Sequence, residues 1–174
     1  MREPHVKPTG RERSWREEDI IVSKTDRKGH ITYANLTFLE VSGYSEEELL
    51  GQPHSIIRHP DMPRCVFKLL WDTIEARNEI FAYVKNMAKN GDHYWVFAHV
   101  TPTFDSRGQI IGYHSNRRCP DRAQVRIFED VYRQLLAEEK RHADWRKGMA
   151  AATEMLVSMI GQKQMSYAEF IFSV

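Results

Sequence analysis

The sequence predicts an α+β domain: a five-stranded antiparallel sheet with short helices on one face, followed by a long C-terminal helix. Three observations predict it. Two short apolar stretches joined by a glycine turn open the domain. After Asn78 the apolar period drops from helical spacing to two and stays there for three more stretches. From Asp121 helical spacing returns and runs to the end of the chain. Strands on both sides of a helical block imply an antiparallel sheet with its helices gathered on one face. A cavity between the two layers is a natural small-molecule site.

Residues 1–18 read as a flexible lead-in, with two prolines, one glycine and many charges among the first 17 residues and room for one helical turn after Ser14. The folded α+β domain spans 19–118. Ile20 to Thr25 and His30 to Tyr33 are strands, and Asp26-Arg27-Lys28-Gly29 turns between them. Ala34 to Val41 is helical, with Gly43 as its stop. Ser45 caps a second short helix whose three glutamates suit the N-terminal dipole. Met62-Pro63 opens a stronger helix to about Arg77, since proline is tolerated in a first turn. Ile80 to Asn86, His93 to Phe104 and Gln109 to Asn116 are the remaining strands. The turns between them are Lys89-Asn90-Gly91-Asp92 and Asp105-Ser106-Arg107-Gly108.

Residues 119–174 form the C-terminal helical segment. Phe128, Leu135, His142, Met149 and Leu156 recur every seven residues, as do Val131, Glu138, Trp145, Ala152 and Met159. That stripe predicts a seam for a coiled coil or bundle, closed either by a second copy of the chain or by the sheet of the same chain. A helix of about 40 residues would be about 60 Å long, more than one small domain covers. A homodimer is therefore expected, with Glu138 and His142 as a polar step in its seam.

Composition narrows the function. A net charge of +1 gives no global reason to expect nucleic acid. Cys65 and Cys119 stand alone, without the spacing of a zinc site or disulfide framework, as expected in a reducing cytoplasm. The longest weakly charged stretch, Gly148 to Gln162, contains Glu154 and falls short of the roughly 20 residues of a membrane span. No catalytic triad order, phosphate loop or HExxH motif is present, so no enzyme is expected.

Ile31-Thr32-Tyr33-Ala34-Asn35, Val41-Ser42-Gly43-Tyr44, Ile57-Arg58-His59-Pro60-Asp61-Met62-Pro63 and Lys89-Asn90-Gly91-Asp92-His93-Tyr94-Trp95 carry a family resemblance. Residues 19–117 resemble a PAS domain, and more closely the flavin-binding PAS domain of bacterial aerotaxis receptors. The resemblance implies non-covalent FAD between helices and sheet, and a role in sensing redox state or oxygen. It places the cofactor contacts at Asn35, Arg58, His59, Asp61, Trp71 and Asn86. Phe81 stands where such receptors carry tryptophan.

The residue chemistry suits that ligand. Phe67, Trp71 and Phe81 can make an apolar slot for a flat ring. Asn35 and Asn86 offer donor and acceptor on one group. Arg58 can clasp a pyrophosphate as a rigid fork. Structural roles compete at each position: Trp71 as core, Asn35 and Asp61 as helix caps, Arg58 as a solvated loop charge. Three other readings stay open. A light-sensing LOV domain needs a cysteine in the helix before the long one, whereas Cys65 lies inside the long one. A haem gas sensor would draw an axial ligand from His54, His59, His93 or His114. A ligand-free PAS domain would serve protein association alone.

Overall fold

The computed structural model describes residues 6–174. Five strands form one antiparallel sheet in the order β2-β1-β5-β4-β3. They are β1 (Ile21–Asp26), β2 (Ile31–Ala34), β3 (Ile80–Met87), β4 (His93–Phe104) and β5 (Ile110–Arg118). The first two strands form the expected hairpin, but β5 inserts between β1 and β4, so the first and last strands are neighbours.

Three helices cover one face. Asn35 and Gly43 bound α1 (Leu36–Ser42): the Asn35 carboxamide accepts from the Phe38 amide, and Gly43 sits at φ 74°. Ser45 and Glu48 make a reciprocal capping box on α2 (Glu46–Leu49). A 3₁₀ turn (His54–Ile57) then leads to α3 (Arg64–Glu75). No side chain of the preceding loop caps α3; Glu139 Oε1 accepts from the Cys65 amide instead, 2.9 Å away. The first turn of α3 is thus held by a residue 74 positions downstream.

The C-terminal segment is helical, as expected, but not one rod. It divides into α4 (Arg122–Lys140), α5 (Trp145–Gly161) and α6 (Tyr167–Ser173). Asp144 restarts the helix by accepting from the Arg146 amide. Gly148 lets α5 cross α4 closely: a Cβ there would lie 2.3 Å from the Glu139 carbonyl oxygen. α4 and α6 fold back on the sheet face opposite α1–α3, while α5 packs on α4 and reaches α3. Phe128 stacks on Tyr83 at 4.3 Å, and the Tyr132 and Tyr167 hydroxyls donate to the Tyr83 and Phe81 carbonyls at 2.7 and 3.0 Å.

The sevenfold stripe is therefore spent within the chain. Phe128, Leu135, Ala152 and Leu156 are all buried in its core, which removes the reason to place a coiled-coil seam there. Glu138 and His142 pair with each other at the end of α4, 3.2 Å apart.

Residues 1–5 of the expected lead-in lie outside the described residues. Its later part is tied down: the Thr9 and Arg13 amides donate to the Gly91 and His93 carbonyls, and the Arg13 side chain donates to the Val41 carbonyl. After Ser14 there is a single turn, closed by the Asp19 amide on the Arg16 carbonyl.

Candidate functional site

A cavity of about 260 Å³ lies between the sheet and α3. Strand alternation decides which side chains reach it. Val84 and Asn86 of β3, Val96, Ala98 and Val100 of β4, and Tyr113, Ser115 and Arg117 of β5 all point inward. On the helical side Phe67, Leu70, Trp71 and Ile74 form the opposing wall, one face of α3. Trp71 is fixed edge-on to Tyr113 at 5.4 Å and rests on Gly29, where a Cβ would lie 3.0 Å from the indole ring. The slot is thus apolar on both broad sides.

Its charged lining is one-sided. Lys28 is exposed at the rim, Arg58 is half-buried, and Arg117 is 2% exposed at the floor; among the described residues no aspartate or glutamate lines the cavity. Arg58 ends the 3₁₀ turn, its backbone bridges to Asn86, and its guanidinium lies 4.3 Å from the centre of the Phe67 ring. Burial lowers its pKa.

Arg117 Nε donates to Ser115 Oγ at 3.1 Å, and Nη2 contacts Ser23 Oγ and lies 3.3 Å from His54 Nε2. The guanidinium also stands 4.7 Å from the centre of the Phe38 ring. Nη1 is buried with no partner among the described residues. Burial brings the Arg117 pKa down to about 10, so it is cationic at neutral pH. Burial, and next the charge of Arg117, push His54 down to about 3, so it is neutral there.

Of the eight positions singled out by sequence, Arg58, Phe67, Trp71 and Asn86 meet at this cavity. The other four do not line it. Asn35 is used up locally: its carboxamide accepts from the Val22 and Phe38 amides and donates to the Ile20 carbonyl, joining β1 to α1. His59 is buried behind the loop, edge-on to His93 at 5.8 Å, with Nδ1 accepting from the Asp61 amide. Burial lowers its pKa to about 4. The Asp61 carboxylate pairs with Lys85 at 2.8 Å, and Lys85 points to the outer face of the sheet. Phe81 is also on that outer face, stacked on His99 at 4.2 Å. Among the four histidines weighed as haem ligands, only His54 lines the cavity, and neither cysteine does.

Sequence reasoning missed Ser23, Ser115 and Arg117, and treated His54 only as a possible haem ligand. The signal for Arg117 was present: it shares the period-two phase of Tyr113 and Ser115 on a strand with one buried face. The signal for Ser23 was absent, because its approach to Arg117 depends on β1 pairing with the last strand.

Comparison with known proteins agrees with this architecture. The sequence matches the PAS fold family over residues 31–117. It is 42% identical over 121 residues to the aerotaxis receptor of Escherichia coli, covering 70% of this chain and 24% of that protein. It is 30% identical over 99 residues to the nitrogen fixation regulatory protein of Klebsiella pneumoniae, covering 57% and 20%. The chain thus spans a quarter or less of these relatives. Among solved structures, the dark state of the blue-light photoreceptor Aureochrome1 LOV aligns with TM-score 0.56 at 24% identity, over 62% of this chain and 80% of that one. A light-oxygen-voltage domain studied with a flavin analogue aligns with TM-score 0.56 at 19% identity, over 71% and 87%. A family match that begins at β2, ends at Arg117 and encloses the whole of α3 covers the helical wall of the cavity and its β3–β5 wall, and the chain belongs to the PAS fold family.

Proposed function

We propose that this PAS domain binds FAD non-covalently and signals redox state or oxygen through α4–α6, acting as a sensor rather than an enzyme. The observation that carries the reading is the cavity itself: an apolar slot whose only charged lining residues among those described are Lys28, Arg58 and Arg117. Such a site suits a flat ring attached to anionic groups. At about 260 Å³ it is smaller than the roughly 300–1,000 Å³ of sites enclosing a drug-sized ligand, so it takes the ring and leaves the rest of a dinucleotide to the rim. Trp71 and Phe67 would hold the ring, Asn86 and Arg117 its polar edge, and Arg58 and Lys28 the pyrophosphate.

When bound, FAD would supply reversible uptake of electrons and protons. The protein's part is to hold the ring dry and to answer changes at its edge. Asn86 lies on β3, three residues from Tyr83, whose carbonyl accepts from Tyr132 of α4. A shift of β3 would therefore reach the C-terminal helices through one buried hydrogen bond.

The reading includes the division of the chain into a lead-in at 1–18, a sensor at 19–118 and a signalling segment at 119–174. It also includes a cytoplasmic setting and self-association through a surface other than the buried Phe128 and Leu135 stripe. No helix among the described residues is long and apolar enough to cross a membrane. The test is the chromophore. The purified protein should show flavin absorbance and release FAD on heating, identified by chromatography. A haem spectrum, or no chromophore even after incubation with excess FAD, overturns the reading.

A further inference from the structure

We infer that Arg117 is the anion-recognising residue of the cavity, a specificity determinant that favours a ligand carrying negative charge at its buried edge. The inference rests on the flavin reading for the identity of that ligand.

Buried charges in proteins are normally paired, because removing an ion from water costs several kcal/mol when nothing offsets it. Arg117 is 2% exposed and has no carboxylate against it among the described residues. Its neighbours Ser23, Ser115 and His54 are neutral, so they orient the guanidinium without compensating its charge. Phe38 holds the other side of the group. A water placed between Nη1 and the nearby Tyr94 hydroxyl, which also lacks a partner, would satisfy hydrogen bonds and leave the charge unopposed. The missing partner is therefore an anionic or strongly accepting oxygen or nitrogen that the ligand brings.

A flavin ring meets this demand best when reduced. Two electrons from an external donor such as dithionite, with one proton from solvent forming an N5–H bond, leave a single negative charge on the pyrimidine side of the ring. A fixed cation beside that edge favours this anion over the neutral oxidised ring. Arg117 would therefore make the site bind reduced flavin more tightly than oxidised flavin.

The test measures dissociation constants for FAD, oxidised and dithionite-reduced, with wild-type protein, Arg117→Gln and Arg117→Lys, each checked for folding by circular dichroism. Arg117→Gln should weaken reduced FAD by about 10- to 100-fold and oxidised FAD by clearly less, the span expected for a hydrogen bond to a charged group. Arg117→Lys, which keeps the charge, should keep the preference for reduced FAD. Equal losses for both forms, or no loss, overturn the inference and leave the flavin reading standing. If Arg117→Gln does not fold, Arg117→Lys decides: loss of its preference overturns the inference. Wild-type protein that binds no FAD overturns the flavin reading. Planar aromatic carboxylates then become the probe. Their raising the melting temperature of wild type but not of Arg117→Gln supports an anion site, and their having no effect on wild type overturns it.

Discussion

His54 gives the domain a defined acid sensitivity. Enclosure beside the Arg117 cation lowers its pKa from 6.5 to about 3, so the folded site refuses a proton that the unfolded chain accepts. A basic group with a lowered folded pKa is stability-neutral above pH 6.5 and costs stability as pH falls from 6.5 to about 3. At 1.36 kcal/mol per unit, the loss at about pH 5 is about 2 kcal/mol from this one residue. His54→Gln keeps a neutral acceptor within reach of Ser23 and Arg117 and removes the titration. Urea unfolding of both proteins at about pH 7.5 and about pH 5, with matching slopes, isolates the effect. Wild type should lose about 2 kcal/mol more than the variant over that range. The buried His59 and His93 are also lowered by burial, but they are present in both proteins and cancel in the difference. Equal acid losses in the two proteins would refute the argument, because they would mean that His54 takes up its proton in the folded state.

Leu135 is fully buried beneath the C-terminal helices, so Leu135→Glu should destabilise the fold by about 4 kcal/mol or more. A variant that stays as stable as wild type and only halves its mass in light scattering would place this stripe between two chains instead. Gly112 faces the Thr25 carbonyl across β5 and β1, where a Cβ would lie 2.1 Å from the oxygen. Gly112→Ala should cost about 1–3 kcal/mol, seen as a lower melting temperature. An unchanged melting point would show that the two strands part there without strain.

Much of this architecture was legible because it is encoded locally. Period-two alternation, Asn-Gly and Asp-x-x-Gly turns, the Asn35 and Ser45 caps and the glycine stop at Gly43 each act over a few residues, and β1–β5 and α1–α3 lie within two residues of where those signals put them. Arg58, Phe67, Trp71 and Asn86 were legible for the same reason: they sit in short motifs close to the loop and helix that shape the cavity. Phe81 was misplaced from the slot because a strand's phase, not its composition, decides the face. Phe81 shares the phase of Tyr83 and Lys85, which point outward.

The sequence by itself determined the order of elements, the single sheet and the apolar stripe on the last 50 or so residues. What that stripe packs against was a tertiary decision. Heptad spacing specifies a buried helical face and is silent on whether a second chain or the same chain buries it. Asp144 and Gly148 settle the matter by breaking the rod and letting its halves cross, with Phe128 stacked on Tyr83 of the sheet and Leu135 buried in the core of the same chain. The polar floor of the cavity was decided in the same way. Ser23 and Arg117 are 94 residues apart and meet only because the last strand inserts beside the first, a pairing that no local pattern announces and that the closure of a single sheet core requires.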